Sequence, residues 1–221
     1  MRKVIERIGP CALTLRKLTP YQSLVRAVTY QQLNGRAAAT IFARFVASFG
    51  NGRFPSPQAV LAANPRSMRR AGLSRAKALA IKDIARHAVA RVVPTRRGAD
   101  GLADEEIIER LTQIRGVGRW TVEMLLIFTL GRPDVLPVDD YGVREGYRLA
   151  YGLKKQPAPK ELAAIGERWK PYRSAVAWYF WQVANEARAK SAKPPAKSAK
   201  PPAKSAKEAR AKSPGANALT K

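Results

Sequence analysis

The sequence predicts an all-α protein, and three observations support that fold class. Apolar residues recur at helical spacing, whereas the alternation that is typical of half-buried strands is scarce. Ala, Arg and Leu, which favour helices, are the commonest residue types in residues 1–187. Glycines and prolines divide this region into about ten helices with short connections. We therefore expect one helical domain over residues 1–187.

In the first half of the chain, turn residues mark the ends of the predicted helices. Pro20 begins a helix that runs to about Leu33, because proline is favoured in the first turn. Gly35 interrupts it, and a second helix continues to Phe49, where Gly-Asn-Gly ends it. Ser74 can cap a later helix, whose apolar face is formed by Ile81, Ile84, Ala85, Ala88 and Val92.

The second half of the chain contains one predicted loop and several further helices. Residues 96–98 are expected in the loop, and Asp104 can cap the helix that follows. The predicted helices cover about residues 104–113, 119–130, 159–169 and 173–188, and another begins near Asp139.

Residues 188–221 differ from the rest of the chain in composition. The sequence AKSAKPP occupies residues 189–195 and again residues 196–202, and AKSAKEA follows at 203–209. This repeat has no apolar seam, and its Pro-Pro pairs would break a helix. We expect a disordered Lys/Pro/Ala-rich basic tail that attracts phosphates without specificity, and a passive solubility tail is the alternative.

The charge indicates a polyanionic partner. Lys and Arg number 41 against 16 Asp and Glu, which leaves a net charge of +25. Residues 188–221 hold ten Lys/Arg and one Glu, and residues 1–187 hold the remaining 31 Lys/Arg and 15 Asp/Glu. The helical domain therefore carries +16 by itself, so the tail does not account for the charge, and a nucleic acid is the expected partner.

Several classes of protein are excluded by composition. Cys11 is the only cysteine, so the chain has no internal disulfide, four-cysteine zinc site or iron–sulfur cluster. His87 is the only histidine, and its place in an amphipathic helix favours a structural role. No segment is apolar and long enough to span a bilayer, and no clean signal peptide follows Met1. We expect a cytoplasmic monomer with no membrane partner, which in a bacterium would be nucleoid-associated.

The segment from Leu111 to Thr121 carries the most information. One helix ends there, Gly116-Val117-Gly118 turns the chain, and a new helix begins. Val117 can hold the turn against the core, while the glycines let backbone amides approach a ligand. The positive end of the new helix then favours an anion such as a DNA phosphate. An ordinary connection between two helices is the alternative.

Asp139 and Asp140 follow at the predicted start of another helix. One of them can cap that helix, and the other can project toward the hairpin. A fixed carboxylate stabilises the positive charge that develops on a sugar when its glycosidic bond breaks. Two surface charges with no catalytic role are the alternative.

Four ordered blocks give the chain a family resemblance. It resembles the helix-hairpin-helix (HhH-GPD) DNA glycosylase superfamily over residues 20–185, and within it the DNA-3-methyladenine glycosylase II branch. The blocks are LVRAVTYQQL at residues 24–33, IRGVGRWT at 114–121, LPVDDYGVR at 136–144 and RWKPYRS at 168–174.

The resemblance implies two helical subdomains with an active-site cleft between them. It implies a base-excision-repair enzyme that flips alkylated purines of the 3-methyladenine or 7-methylguanine type out of duplex DNA and removes them. Asp140 matches the catalytic aspartate of the alkyl-base branch, and related branches would nominate Asp139. Trp120 stands where family members that also cut the backbone carry a lysine, so the resemblance implies a monofunctional enzyme that uses water.

The same resemblance assigns the other site residues. Gly116, Val117, Gly118, Arg119 and Thr121 form the phosphate-binding hairpin. The carbonyls of Thr112, Ile114 and Val117 can hold a structural Na⁺ or K⁺, and no other cofactor is required. The base pocket is expected to contain Trp120, Trp181, Met124 and Tyr30. Gln32 or Leu33 is expected to be the wedge that fills the hole left by the flipped base, although Gln31 and Gln32 can also form a buried polar pair.

Three alternatives remain open. The same fold can act on a different lesion, namely uracil, hypoxanthine or an oxidised purine. A non-catalytic duplex-DNA-binding protein could use the hairpin alone, but it would need neither Trp120 nor Asp140. An RNA-binding protein ranks last, because no RNA-recognition signature occurs among the aromatic residues.

Overall fold

A computed structural model describes residues 1–33 and 35–191. The predicted tail lies outside the described residues except for its first four, which continue the last helix to Ser191. Within the described residues every regular element is helical, so the all-α prediction is confirmed. None of the described helices is both long and apolar enough to cross a membrane.

The described chain forms twelve α-helices. They are α1 (Arg2–Ile8), α2 (Pro20–Tyr30), α3 (Gly35–Phe49), α4 (Pro57–Ala62), α5 (Pro65–Arg70), α6 (Arg75–Val89), α7 (Arg96–Ala99), α8 (Asp104–Thr112), α9 (Arg119–Leu125), α10 (Tyr141–Ala150), α11 (Pro159–Gly166) and α12 (Arg173–Ser191). A π-helical segment, Leu126–Leu130, continues α9, and a short 3₁₀ segment, Glu167–Trp169, continues α11.

Side-chain caps set the beginnings of many of these helices. Thr19 and Gln22 form a capping box at α2, in which each side chain bonds the backbone of the other residue. The predicted cap by Ser74 is confirmed, since its hydroxyl accepts from the amide of Lys77 at 3.2 Å. The same kind of side-chain cap occurs at Ser56, Asn64 and Thr95.

Three local predictions need correction, and two short helices were missed. Asp104 does not cap α8; it is the first helical residue, and its carboxylate lies 3.2 Å from Nε of Arg132. Residues 96–98 form one helical turn rather than a loop, because Thr95 caps it. The first long helix ends at Tyr30 instead of Leu33, since Gln32 adopts a φ of 55° that no α-helix contains. The short helices α1 and α5 were not predicted.

The buried side chains form two main cores. The larger is built from α2 to α9, and its most buried large side chains include Leu24, Phe45 and Ile84. The smaller is built from α10, α11 and α12 around Val143, Leu162 and Phe180, and α1 packs on the outer side of α12. Trp181 contacts both cores, so it lies where the two helical subdomains meet.

Helices α10 and α12 pack closely enough to require a glycine. A Cβ at Gly146 would lie 2.0 Å from the carbonyl oxygen of Phe180. This close approach holds the middle of α10 against the middle of α12, and Trp181 on α12 donates to Asp140 at the N-terminus of α10.

Candidate active site

The carboxylate of Asp140 is held by three hydrogen bonds from three different elements. Oδ1 accepts from the amide of Val143 in α10 and from Nε1 of Trp181 in α12, both at 2.8 Å. Oδ2 accepts from Nε1 of Trp120 in α9 at 2.7 Å. The residues predicted to be the catalytic aspartate and two walls of a base pocket are therefore brought together: both indoles bind the carboxylate of Asp140.

The expectation that one aspartate caps the helix while the other projects toward the hairpin is wrong. Asp140 caps α10 and also contacts both tryptophans, so one residue performs both roles. Asp139 is exposed and makes no hydrogen bond within the described residues. Gly142 makes the arrangement possible, because a Cβ there would lie 2.8 Å from Cδ1 of Trp181.

A second aromatic ring extends the wall behind Trp181. Phe128 stacks on Trp181 with ring centroids 5.5 Å apart and planes inclined by 29°. Sequence reasoning missed Phe128, although the spacing of four residues from Trp120 to Met124 to Phe128 places all three on one side of the helix. Met124 is half-buried and packs against the larger core.

Two arginines lie next to this aromatic wall. The guanidinium of Arg16 lies 4.6 Å from the ring centroid of Phe128, and that of Arg26 lies 4.0 Å from the ring of Tyr30. Burial lowers the pKa of Arg16, and the positive charge of Arg26 lowers it further. The ring contact found for Tyr30 within the described residues is with Phe42, so it lies beside Arg16 and Arg26 rather than against Trp120 or Trp181.

The predicted hairpin joins α8 to α9. Gly116 has a φ of 76°, and a Cβ there would lie 2.9 Å from Cβ of Ala80 in α6. A Cβ at Gly118 would have no atom within 4 Å. Val117 is buried, and its amide donates to the carbonyl of Ile114 at 3.0 Å. The turn thus requires glycine at position 116, whereas the space beside the Cα of Gly118 is open.

The start of α9 presents unused donors. Thr121 and Val122 both donate their amides to the carbonyl of Gly118. The amides of Gly118, Arg119 and Trp120 have no acceptor within the described residues. These amides lie at the positive end of the helix, where an anion is stabilised.

Two predicted hairpin side chains are engaged within the protein, Arg119 at the surface and Thr121 in the interior. The guanidinium of Arg119 binds both carboxylate oxygens of Glu105, at 2.6 and 2.8 Å, and Oε1 of Glu123 at 3.2 Å. Thr121 is buried, and its hydroxyl lies 3.5 Å from Nε2 of Gln31. For Arg119, therefore, the backbone amide rather than the side chain is available to an anion.

The wedge candidates lie in a short loop, residues 31–33, directly beside the hairpin. Gln32 and Leu33 are both exposed, so the buried-pair interpretation of Gln31 and Gln32 is wrong. Nε2 of Gln31 donates to the carbonyl of Gly116 at 3.1 Å. We call residues 31–33 the wedge loop.

Glu123 is an ionisable group that sequence reasoning did not single out. It is buried in α9, and burial raises its pKa to about 7. The Arg119 guanidinium opposes this shift, while the negative charges of Asp139 and Asp140 add to it. The protonated form is therefore favoured by folding.

Because of this shift, we expect Glu123 to make stability depend on pH. The stability that the raised pKa of Glu123 contributes is fully present below the ordinary glutamate pKa of 4.5, and it is lost as pH rises through about 7. Glu123→Gln, which stays neutral, should gain about 3 kcal/mol relative to wild type as pH rises from the lower to the higher of these values, since one pKa unit corresponds to about 1.4 kcal/mol. Urea unfolding of both proteins from pH 4.5 to 8 measures the difference, and a difference that does not change with pH would contradict this assignment.

Comparisons with known proteins agree on one family. The model of the HhH-GPD superfamily of base excision DNA repair proteins matches residues 25–171. The chain is 44% identical to DNA-3-methyladenine glycosylase 1 of Schizosaccharomyces pombe over 174 residues, which is 79% of this chain and 76% of the relative. It is 34% identical to the alkylbase DNA glycosidase-like protein mag2 of the same organism, over 81% of this chain and 85% of the relative.

Solved structures give the same result. The S. pombe 3-methyladenine DNA glycosylase in complex with abasic DNA superposes with a TM-score of 0.75 at 42% identity, covering 82% of this chain and 89% of that one. A DNA-3-methyladenine glycosidase from Bacillus halodurans superposes with a TM-score of 0.77 at 32% identity, covering 86% of each chain.

Proposed function

Because this chain belongs to the HhH-GPD superfamily of base excision DNA repair proteins, we propose that it hydrolyses the N-glycosidic bond of alkylated purines in duplex DNA. One observation carries the proposal: a carboxylate fixed by two indole N–H groups and a helix amide, at the junction of two helical subdomains. A protein that only binds duplex DNA has no use for such a group.

The position of Asp140 suits it to stabilise the transition state. As the bond to the base breaks, positive charge develops on the deoxyribose, and a carboxylate already held in place stabilises it without reorganising. Oδ1 is occupied by two donors, whereas Oδ2 accepts only from Trp120 and keeps acceptor capacity. Oδ2 is therefore the oxygen that faces the sugar or orients the attacking water.

The aromatic residues suit a cationic base. Alkylation at N3 or N7 leaves a positive charge on the purine, and electron-rich rings attract cations. Trp120, which is 42% exposed, and Trp181 provide these rings, and Phe128 stacks behind Trp181. Met124 lies one helical turn after Trp120 and would add an apolar contact to the base. Tyr30 lies beside Arg16 and Arg26 and would line the pocket from the α2 side.

The hairpin and the wedge loop suit the binding of DNA. The amides at Gly118, Arg119 and Trp120 would hold one phosphate, and Gln32 or Leu33 would fill the gap left by the flipped base. The carbonyls of Thr112, Ile114 and Val117 belong to the same turn; the carbonyl of Ile114 accepts one amide and keeps a second lone pair. A Na⁺ or K⁺ held there would bridge the turn to the phosphate, and no other cofactor is proposed.

The large positive net charge of the chain favours binding to DNA in the cell. We propose that the enzyme acts as a monomer on damaged duplex DNA, which in a bacterium lies in the nucleoid. The helical domain carries most of the net charge of +25, and the basic repeat of residues 188–221 would add non-specific, salt-sensitive affinity.

A panel of single-lesion duplexes tests the proposal. Duplexes containing 7-methylguanine, 3-methyladenine, hypoxanthine, uracil or 8-oxoguanine are incubated with the protein and then cleaved with alkali. We expect strand breaks at the alkylated purines only after alkali, because Trp120 has no amine to form a Schiff base and water is the nucleophile. Release of hypoxanthine, uracil or 8-oxoguanine alone would show that the substrate is a different lesion. Release of no base from any duplex would refute the proposed glycosylase activity.

Borohydride in the same reactions separates hydrolysis from lyase chemistry. A Schiff base between protein and sugar is reduced to a stable covalent adduct, so a trapped complex would contradict the monofunctional mechanism.

A further inference from the structure

One side of α6 contacts both the wedge loop and the hairpin. Lys77, Ala80 and Asp83 are spaced three residues apart and therefore lie along the same side of the helix. The carboxylate of Asp83 is buried, and its Oδ2 accepts from the amide of Arg115 at 2.8 Å. Ala80 packs against Gly116 so closely that no side chain fits there. The hairpin is thus fixed to α6 at two successive points.

Lys77 makes the corresponding contact to the wedge loop. Its Nζ donates to the carbonyl of Thr29 at 2.8 Å and to the carbonyl of Gln31 at 2.7 Å. These carbonyls belong to the end of α2, where helix geometry leaves acceptors without a partner and favours a positive charge. The side chain is half-buried, and its Nζ lies against the end of α2.

The wedge loop and the hairpin also touch directly. Gln31, whose carbonyl binds Lys77, donates from its side chain to the carbonyl of Gly116. Each of the three elements therefore contacts the other two. Lys77 joins α6 to the wedge loop, Gln31 joins the wedge loop to the hairpin, and Gly116 packs the hairpin on α6.

We propose that Lys77 is a positioning residue that fixes the wedge loop relative to the hairpin. The phosphate held by the hairpin then defines where Gln32 and Leu33 enter the duplex. The wedge is thereby inserted at a fixed position along the DNA relative to that phosphate. This inference rests on the proposed glycosylase function, because it assigns Lys77 to base flipping in that reaction. Lys77 would act through the wedge loop without touching the base or the sugar.

The test compares substitutions at two lysines of α6. Lys77→Met removes the amine, and Lys77→Arg retains donors and charge. Lys82→Met is the matched control, because Lys82 also donates to a backbone carbonyl, that of Leu61 in α4 at 3.0 Å, but does not contact the wedge loop. Each protein is assayed at saturating concentration for single-turnover release of 7-methylguanine. Insertion is read from the fluorescence of 2-aminopurine beside an abasic-site analogue, and affinity from binding to undamaged duplex.

For Lys77→Met, we expect the single-turnover rate and the 2-aminopurine signal to fall about tenfold, since a misplaced group impairs a reaction that depends on orientation. Affinity for undamaged duplex should change by less than about threefold, because a single phosphate-independent contact is lost. Lys77→Arg should recover most of both signals, and Lys82→Met should resemble wild type.

Two results would overturn the inference. Unchanged insertion and rate in Lys77→Met would show that the wedge loop keeps its position without the amine. Loss of duplex affinity with an unchanged rate at saturation would make Lys77 a phosphate contact. If Lys77→Met does not fold, Lys77→Gln decides, since it shortens the side chain, removes the charge and should reduce insertion and rate in the same way. Failure of the proposed function is recognised separately, because wild type would then release no base.

Discussion

Replacement of Asp140 by asparagine is expected to abolish base excision and leave duplex binding intact. Asparagine has the same shape and is a good N-cap, so its Oδ1 can still accept from Val143 and Trp181. Its amide nitrogen cannot accept from Nε1 of Trp120, so the cost in stability should be about 1–2 kcal/mol. Asparagine lacks the negative charge that stabilises the developing sugar cation. Loss of one preorganised electrostatic contact typically slows a reaction about 10²- to 10³-fold, and loss of the full charge should do at least that.

Asp139→Asn is the matched control for this experiment. Asp139 is adjacent, carries the same charge and is exposed, but does not contact Trp120 or Trp181 within the described residues. Its variant should excise 7-methylguanine within about threefold of wild type, as is usual for exposed positions. Single-turnover assays and binding to an abasic-site duplex measure the two effects. An inactive Asp139→Asn beside an active Asp140→Asn would transfer the catalytic role to Asp139.

Local sequence signals predicted the elements that carry the site. The glycines of the hairpin and the cap at Ser74 depend on conformations that a few neighbouring residues determine, so they could be identified from the sequence. The pairing of Trp120, Asp140 and Trp181 came from the family resemblance rather than from any local rule. Their contacts span 20 and 41 residues, and no helical period connects them.

What the sequence could not predict depends on contacts between distant elements. Asp140 both caps a helix and binds the two indoles because α9, α10 and α12 converge there, and a linear pattern offers only one role for each aspartate. Arg119 in a basic hairpin is typical of a phosphate ligand, but its guanidinium binds Glu105 and Glu123, which are distant or inconspicuous in the sequence. Lys77 in a basic helix is indistinguishable from a solvated lysine until the end of α2 is placed beside it.

The two glycines of the hairpin should respond differently to the same substitution. Gly116→Ala forces an L-residue to a φ of 76° and places its Cβ 2.9 Å from Cβ of Ala80, so the turn must shift. We expect a loss of about 1–3 kcal/mol in the free energy of unfolding, together with weaker DNA binding because the turn moves. Gly118→Ala meets neither obstacle, since its φ is −96° and a Cβ there has open space.

For Gly118→Ala, we therefore expect a stability loss of about 1 kcal/mol or less, which is the difference between glycine and alanine at an N-cap. Its Cβ would stand in front of the amides of Gly118 and Arg119, where a phosphate must approach, so duplex affinity should fall about tenfold. Urea unfolding and fluorescence anisotropy on both variants separate the two effects. If Gly118→Ala binds duplex DNA as wild type does, the amides at the start of α9 are not the phosphate site.

The steric part of the Gly116 effect can be isolated through its neighbour. Ala80→Gly removes the Cβ that the new methyl group would meet, at a cost of about 1 kcal/mol for a glycine inside α6. In that background, Gly116→Ala should cost less stability than it does in wild type, because only the backbone strain remains. Equal costs in both backgrounds would mean that the left-handed conformation alone, and not contact with α6, makes glycine necessary at this position.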